Sequence, residues 1–490
     1  MKNLKNGTDI RGTAIGENPT LTPAIAELLG KAFASFLEHR GAAVPPTVAV
    51  GQDPRLSGDD LKAGLVKGLR AMGAKVLDCG LATTPSMFFA TYYEGSSCDG
   101  AIEITASHLP YDKNGLKFFT KDGGIDGKDV SALISLAEED VFPADRKEGT
   151  VEKFDLMTPY GNSLVKLVQD KTGEERPLEG VKVVVDAGNG AGGFFVEKVL
   201  APLGADTAGS VYLEPDGSFP NHIPNPENKA AMAACAEATL KAGADMGICF
   251  DTDCDRSAIV DASGMEINRN RMIAMIAALM LRENPGCTIV TDSVTSRGLA
   301  AFIEERGGTH HRFMRGYKKV IDEAVRLEKT GVCAPLAMET SGHGALKENH
   351  YLDDGSYLAA RVLAELATLK KQGKTLLSLI DGLAEPAESL ELRANIKAED
   401  FKAYGAKVLE ELEAYCKEQG WEMVSPNYEG VRVNFGKDAG DGWFLVRMSL
   451  HDPVIPINVE SDTEGGALKI ADALYAFLTR FEALELPAYR

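Results

Sequence analysis

Ala101-Ile102-Glu103-Ile104-Thr105-Ala106-Ser107-His108-Leu109-Pro110-Tyr111-Asp112-Lys113-Asn114-Gly115-Leu116-Lys117 decides how the chain is read. Its first four residues alternate as a strand does. Pro110 and the Asn114-Gly115 pair then speak against regular structure. A strand therefore ends in a loop that carries a hydroxyl, an imidazole and an ammonium. Such a loop at the carboxyl end of a strand suits phosphate chemistry. Taken alone, the Ser-His pair is better read as an ordinary polar turn; the recurrence of such loops along the chain decides otherwise.

The plan repeats. A short apolar strand at 48–50 ends in Gly51-Gln52-Asp53-Pro54-Arg55, followed by a helical stretch, Gly73-Ala74 and a strand at 75–77. A second round opens with a strand at 181–185 and turns at Gly188-Asn189-Gly190. It then passes a helix and Gly204-Ala205 to a strand that ends in Asp251-Thr252-Asp253-Cys254-Asp255-Arg256. A third opens at 288–290, turns at Asp292-Ser293, runs a helix to Gly307-Gly308 and ends in Met338-Glu339-Thr340-Ser341-Gly342-His343. Strands alternating with helices predict α/β domains on parallel or mixed sheets. Ligands in such sheets gather at the carboxyl ends of strands. Three similar α/β domains, at 1–155, 156–262 and 263–380, are expected to face a central cleft.

The tail, 381–490, differs. An acidic, Pro-containing stretch at 381–391 reads as a hinge. Strand-like runs at 430–435 and 443–448 flank a hairpin turn at 438–442. A third run at 455–460 precedes a helix expected over 466–484. This predicts a smaller C-terminal α+β domain.

A chain of 490 residues is long enough for several domains, each with a core, and 44% apolar with 25% charged residues is a globular composition. The net charge of -20 argues against nucleic acid or an anionic membrane as partner, although a pocket can still be locally basic. Eight scattered cysteines without a Cys-x-x-Cys read as reduced thiols. The N-terminus has no apolar core of a signal peptide, and the apolar run at 272–281 is too short to span a bilayer, so a cytoplasmic setting is expected.

Asp251, Asp253 and Asp255 put three carboxylates at a strand terminus, a set of hard oxygen ligands suited to Mg2+ or Ca2+. Unpaired carboxylates so close repel unless a cation sits among them, and Arg256 answers only part of that charge. An EF-hand is excluded, because its Gly position is Arg256 and its closing Glu position is Ala262. Glu339, Ser341 and His343 at alternate positions suit sugar hydroxyls or, equally simply, a helix cap and a core histidine. Arg447-Met448-Ser449-Leu450-His451-Asp452-Pro453 offers an Arg fork and a hydroxyl for a phosphate, with a hairpin edge as the plain alternative. Gly188-x-Gly190-x-x-Gly193 with Glu214 matches a dinucleotide fingerprint, but three carboxylates close by are unsuitable neighbours for a pyrophosphate, so these glycines read as a tight turn. Gly373-Lys374-Thr375 lacks the first Gly of a P-loop, and no Gly-x-Ser-x-Gly elbow exists.

Together the loops resemble those of the α-D-phosphohexomutase family, the phosphoglucomutases and phosphomannomutases. The family's marks are a Thr-Ala-Ser-His-Asn-Pro phosphoserine loop, an Asp-Gly-Asp-Gly-Asp-Arg metal loop, a Gly-Glu-x-Ser-Gly-His sugar loop and an Arg-x-Ser-Gly-Thr-Glu-Pro phosphate loop. Their counterparts here are 105–110, 251–256, 338–343 and 447–453, and Asn6-Gly7-Thr8-Asp9-Ile10-Arg11-Gly12 resembles the family's N-terminal loop. The resemblance implies four domains around a cleft, one Mg2+ and a phosphorylated Ser107. The implied reaction interconverts hexose 1-phosphate and hexose 6-phosphate, of glucose and/or mannose, through a bound hexose 1,6-bisphosphate that also activates. Ser107, His108, Lys117 and Arg256 would be catalytic, with Lys117 and His108 the candidates to exchange the hydroxyl proton. Ser107, Asp251, Asp253 and Asp255 would hold the metal. Arg11, Glu339, Ser341, His343, Arg447, Ser449 and His451 would bind substrate, on a monomer or homodimer.

The chain departs from the family pattern at Leu109 for Asn, at Thr252 and Cys254 for glycines, and at Met338 for Gly. The largest departure is Leu450-His451-Asp452 for Gly-Thr-Glu. These changes bear on substrate choice more than on reaction class. The alternatives are a phosphoglucosamine mutase, a haloacid-dehalogenase-like phosphatase with Asp251 as nucleophile, and a non-catalytic sugar-phosphate-binding paralogue. The phosphatase motif wants Thr or Val where Asp255 stands, and it leaves the Ser107 loop without a role.

Overall fold

The computed structural model describes residues 1–449 and 452–489. The chain divides into two compact units, Met1–Asn268 with Ser341–Leu379, and Arg269–Thr340 with Ile380–Arg490. Its architecture is three α/β domains on parallel and mixed sheets, with a fourth, smaller α+β domain.

In the first unit an eight-stranded sheet has at its centre Lys113–Thr120, Gly100–Ile104 and Thr47–Gln52. Gly100–Ile104 is buried along its whole length, as a strand covered on both faces must be. It runs parallel to Thr47–Gln52 and antiparallel to Lys113–Thr120. Here the structure corrects the sequence reading: Asn114 and Gly115 lie inside a strand, in register with Gly12 and Arg11. Gly115 marks close backbone approach, since a Cβ there would meet Ile10 O at 2.5 Å and Thr105 O at 2.7 Å. The Ser107 loop is therefore shorter than expected, and Lys117 projects from a strand beside it.

A second, four-stranded sheet of this unit orders Glu266–Ile267, Ser257–Asp261, Met246–Phe250 and Val183–Asp186. Met246–Phe250 is parallel to Val183–Asp186 and antiparallel to Ser257–Asp261, so residues 251–256 form the connection of a hairpin. The glycines of the 188–193 turn have steric duties. A Cβ on Gly190 would lie 2.7 Å from Thr252 O, and one on Gly193 would lie 2.4 Å from Leu213 O.

In the second unit Thr309–Arg312, Thr288–Thr291 and Leu336–Met338 are parallel. Helices Asn270–Glu283, Arg297–Glu305 and Tyr317–Lys329 belong to the same part of the chain. The tail carries a six-stranded antiparallel sheet with helices Phe401–Glu418 and Gly466–Leu478. Its longest strand, Glu388–Ile396, occupies part of the stretch read as a hinge and pairs with Val454–Ser461 over eight positions. Leu392, Ala394 and Ile396 point to the core, so a period-2 signal was present. The C-terminal helix stops at Leu478, short of the expected 484.

All eight cysteines are free thiols, seven of them buried. No helix among the described residues is long and apolar enough to cross a membrane.

Candidate active site

Ser107 is buried, with φ of +51°, a left-handed backbone that costs an ordinary residue roughly 1–2 kcal/mol. Its Oγ lies 3.0 Å from Asp251 Oδ2 and accepts from Arg256 Nη2 at 3.2 Å. Arg256 Nη2 also donates to His108 Nδ1 at 2.8 Å, so that ring nitrogen is an acceptor. Burial, then the adjacent guanidinium, pushes the His108 imidazole down to about 3. The ring is therefore neutral at physiological pH.

Asp251, Asp253 and Asp255 are buried, and one carboxylate oxygen of each falls within 4.8 Å of the others. Lys117 Nζ donates to Asp253 Oδ2 at 2.7 Å and to Asp255 Oδ2 at 2.5 Å. Thr84, in the first turn of the helix Thr84–Tyr92, donates its hydroxyl to Asp253 Oδ2 at 2.6 Å. That helix N-terminus adds favourable dipole charge beside the carboxylate. Asp253 Oδ1 and Asp255 Oδ1 are buried and accept no hydrogen bond from any described residue. Burial, then the charge of Asp255, holds the Asp251 carboxyl well above the usual range. Two buried acceptors without donors, in a site made of hard oxygens, fit a divalent cation.

His343 Nδ1 contacts Asp353 Oδ2 at 2.6 Å, and Gly344 N donates to Asp353 Oδ1 at 2.9 Å. Burial opposes the imidazolium, but Asp353 outweighs it and lifts His343 to about 9. Asp255, His343 and Asp353 also cluster within 4.8 Å, but His343 Nδ1 is already engaged by Asp353. Ser341 is buried in the same unit, and Arg11 pairs with Asp9 at 2.8 Å.

Glu339 lies in the other unit, where its Oε1 accepts Gly316 N–H at 2.5 Å. The segment read as one sugar loop thus straddles the boundary between Thr340 and Ser341. Also in the second unit, burial lowers the Arg447 pKa, with Glu429 opposing, and its Nε is buried without a hydrogen-bond partner among the described residues. Ser449 Oγ accepts from Asp452 N at 3.2 Å. His451 lies outside the described residues.

The profiles of phosphoglucomutase/phosphomannomutase α/β/α domains I, II and III match residues 2–140, 159–264 and 268–386 in that order. This chain belongs to the phosphoglucomutase/phosphomannomutase family. It is 33% identical to a phosphoglucomutase of Neisseria gonorrhoeae over 479 residues, 96% of this chain and 95% of the relative. A phosphomannomutase/phosphoglucomutase of Pseudomonas aeruginosa is 32% identical over 459 residues, 93% of this chain and 91% of the relative. A crystal structure of a phosphoglucomutase/phosphomannomutase family protein from Burkholderia thailandensis is similar along the full length of both chains, with TM-score 0.83 and 30% identity.

Against the family's loop pattern, Cys254 takes the place of a glycine and keeps φ at +60°, so the backbone bend survives the added Cβ. None of the alternatives weighed from the sequence is favoured by these relatives. Asp251 is a poor open nucleophile as it stands, since both its oxygens are engaged, by Arg256 and Ser107. Sequence reading missed Thr84, Asp353 and Asn225, whose Oδ1 accepts from Arg256 Nη1 at 3.1 Å. Each reaches the site by tertiary approach, and none carries a local signal.

Proposed function

We propose that this phosphohexomutase-family enzyme interconverts hexose 1-phosphate and hexose 6-phosphate, of glucose, mannose or both, through a phosphoryl group on Ser107 and a bound hexose 1,6-bisphosphate. The observation that carries the reading is the meeting of Ser107 Oγ with Asp251 and Arg256 beside two carboxylate oxygens that lack donors.

In the first half of the cycle the free sugar hydroxyl attacks the phosphorus on Ser107. The bond from phosphorus to Ser107 Oγ breaks, a bond to the sugar oxygen forms, and the hydroxyl proton passes to the Lys117 amine. In the second half the reoriented bisphosphate returns its other phosphoryl group to Ser107 Oγ, and Lys117 gives the proton to the sugar oxygen left behind. Arg256, donating to Ser107 Oγ, stabilises charge on the oxygen that leaves. His108, engaged through Nδ1 by Arg256, is assigned to orienting the loop.

Asp251, Asp253 and Asp255, with Ser107, would hold the divalent cation, Mg2+ on this reading. Such an ion supplies positive charge against the transferring phosphoryl group and answers the carboxylate charge that would otherwise keep Lys117 protonated. Glu339, Ser341 and His343 are assigned to sugar hydroxyls. Arg11, Arg447, Ser449 and His451 are assigned to the phosphate that is not reacting. In this reading the domains 1–155, 156–262, 263–380 and 381–490 supply the phosphoserine, metal, sugar and phosphate loops in turn.

A coupled assay with glucose, mannose and glucosamine 1-phosphates, primed with the matching bisphosphate, tests the reading. Turnover of glucose or mannose phosphate is expected. Turnover of the glucosamine phosphate alone would replace it with a phosphoglucosamine mutase. Binding without turnover of any sugar would leave a sugar-phosphate-binding protein.

A further inference from the structure

We infer that Arg55 is a positioning residue that sets the pose of Ser107 by holding the backbone of its loop. The inference rests on Ser107 being the phosphoryl carrier. Arg55 is buried. Its Nη2 donates to Ser107 O at 2.5 Å and to Leu109 O at 2.7 Å, and its Nη1 donates to Pro110 O at 2.7 Å and Lys113 O at 2.9 Å. Its Nε donates to Asp53 Oδ2 at 3.1 Å. All five N–H donors of the guanidinium are thus spent, three of them on carbonyls of the Ser107 loop and one on Lys113, where the loop enters the next strand.

Asp53 completes the hold. Its Oδ1 accepts Arg55 N–H at 2.9 Å, and its Oδ2 accepts the Thr105 hydroxyl at 2.7 Å. Thr105 Oγ1 in turn accepts Ser107 N–H at 2.9 Å. Both peptide groups of Ser107 are therefore pinned, the N–H through Thr105 and the C=O by Arg55 directly. These contacts maintain the left-handed φ of +51°, which an unconstrained serine would leave. A nucleophile that gains and loses a dianionic group needs such a fixed base, because a misplacement of about 1 Å can cost on the order of 100-fold in rate.

A lysine presents its donors from one point and cannot address four carbonyls spread over residues 107–113. Arg55→Lys is therefore expected to lower kcat by roughly 30- to 100-fold, with KM for hexose 1-phosphate held within about threefold. Amide hydrogen exchange should quicken at 107–113 and stay unchanged in the strand Gly100–Ile104. In Arg55→Ala, guanidinium ion at non-denaturing concentration should recover part of kcat. Wild-type kcat in Arg55→Lys would overturn the inference. So would a loss of kcat with faster exchange throughout the domain and no guanidinium rescue, which is what a purely structural role gives. If wild-type enzyme showed no mutase turnover, the proposed function would fall instead, and the exchange measurement would still decide whether Arg55 holds the loop.

Discussion

Ser107 Oγ stands 3.0 Å from Asp251 Oδ2, across 144 residues of sequence. The contact joins the end of one strand, Gly100–Ile104, to the end of another, Met246–Phe250. Neither loop explains itself alone. A buried hydroxyl with an arginine and an aspartate is weak evidence of a stabilising role, since well-packed apolar side chains often serve stability as well. Brought together, they set the Ser107 hydroxyl beside a guanidinium on one side and a cluster of three carboxylates on the other.

The proposed cation gives the first test. Asp253→Asn keeps the volume beside Thr84 and Lys117 but withdraws one negative charge. Turnover should fall by on the order of 100-fold or more, since the lost interaction acts mainly in the transition state. In chelator-treated protein, added Mg2+ should restore activity and raise Tm for the wild type, with both responses blunted in the variant. Full activity in excess chelator would remove the metal from the mechanism.

Arg447 tests the tail. Arg447→Ala should weaken use of hexose 1-phosphate and hexose 6-phosphate alike and let more bisphosphate escape into solution. Arg447→Lys should recover part of the loss, because an ammonium does not reproduce the bidentate fork. Unchanged kcat/KM in both directions would take the phosphate clamp away from this residue.

A pH test falls on a buried carboxyl of the second unit. Glu460 accepts from Trp443 Nε1 at 2.9 Å, and the Arg432 guanidinium lies 3.6 Å from that indole ring. Burial, partly offset by Arg432, raises Glu460 from 4.5 to about 7. A folded-state pKa above the unfolded one gives stability that is complete below about 4.5 and is lost as pH rises through about 7. Glu460→Gln lacks that loss. The Tm of the variant relative to wild type should therefore climb between pH 4.5 and 8. A constant difference across that range would show that Glu460 is not held protonated.

The sequence made the strand-to-loop rhythm plain, and with it the Ser107 and Asp251 loops, because short apolar runs ending in polar clusters are a local signal. What it hid was set by contacts. Asn114-Gly115 looked like a breaker, yet it lies in a strand paired with Gly12 and Arg11, and residue 115 is glycine where Ile10 O and Thr105 O crowd the space a Cβ would take. The strand Glu388–Ile396 was overlooked although Leu390, Leu392, Ala394 and Ile396 alternate, because the acidic, proline-bearing residues before it read as a hinge. The aspartates announced a cluster of hard oxygens by their spacing. Lys117 was legible only as a nearby charge, and its reach to Asp253 and Asp255 comes from a strand pairing that no local pattern encodes.

The central claim is that Ser107 carries the phosphoryl group between sugars, and a transfer experiment tests it most directly. Enzyme incubated with hexose 1,6-bisphosphate bearing radiolabelled phosphate should become labelled on the peptide containing Ser107. Unlabelled hexose 1-phosphate should then chase that label into the sugar pool at a rate no slower than turnover, and Ser107→Ala should take up no label and show no activity. Turnover without label on Ser107, or undiminished activity in Ser107→Ala, would contradict the account.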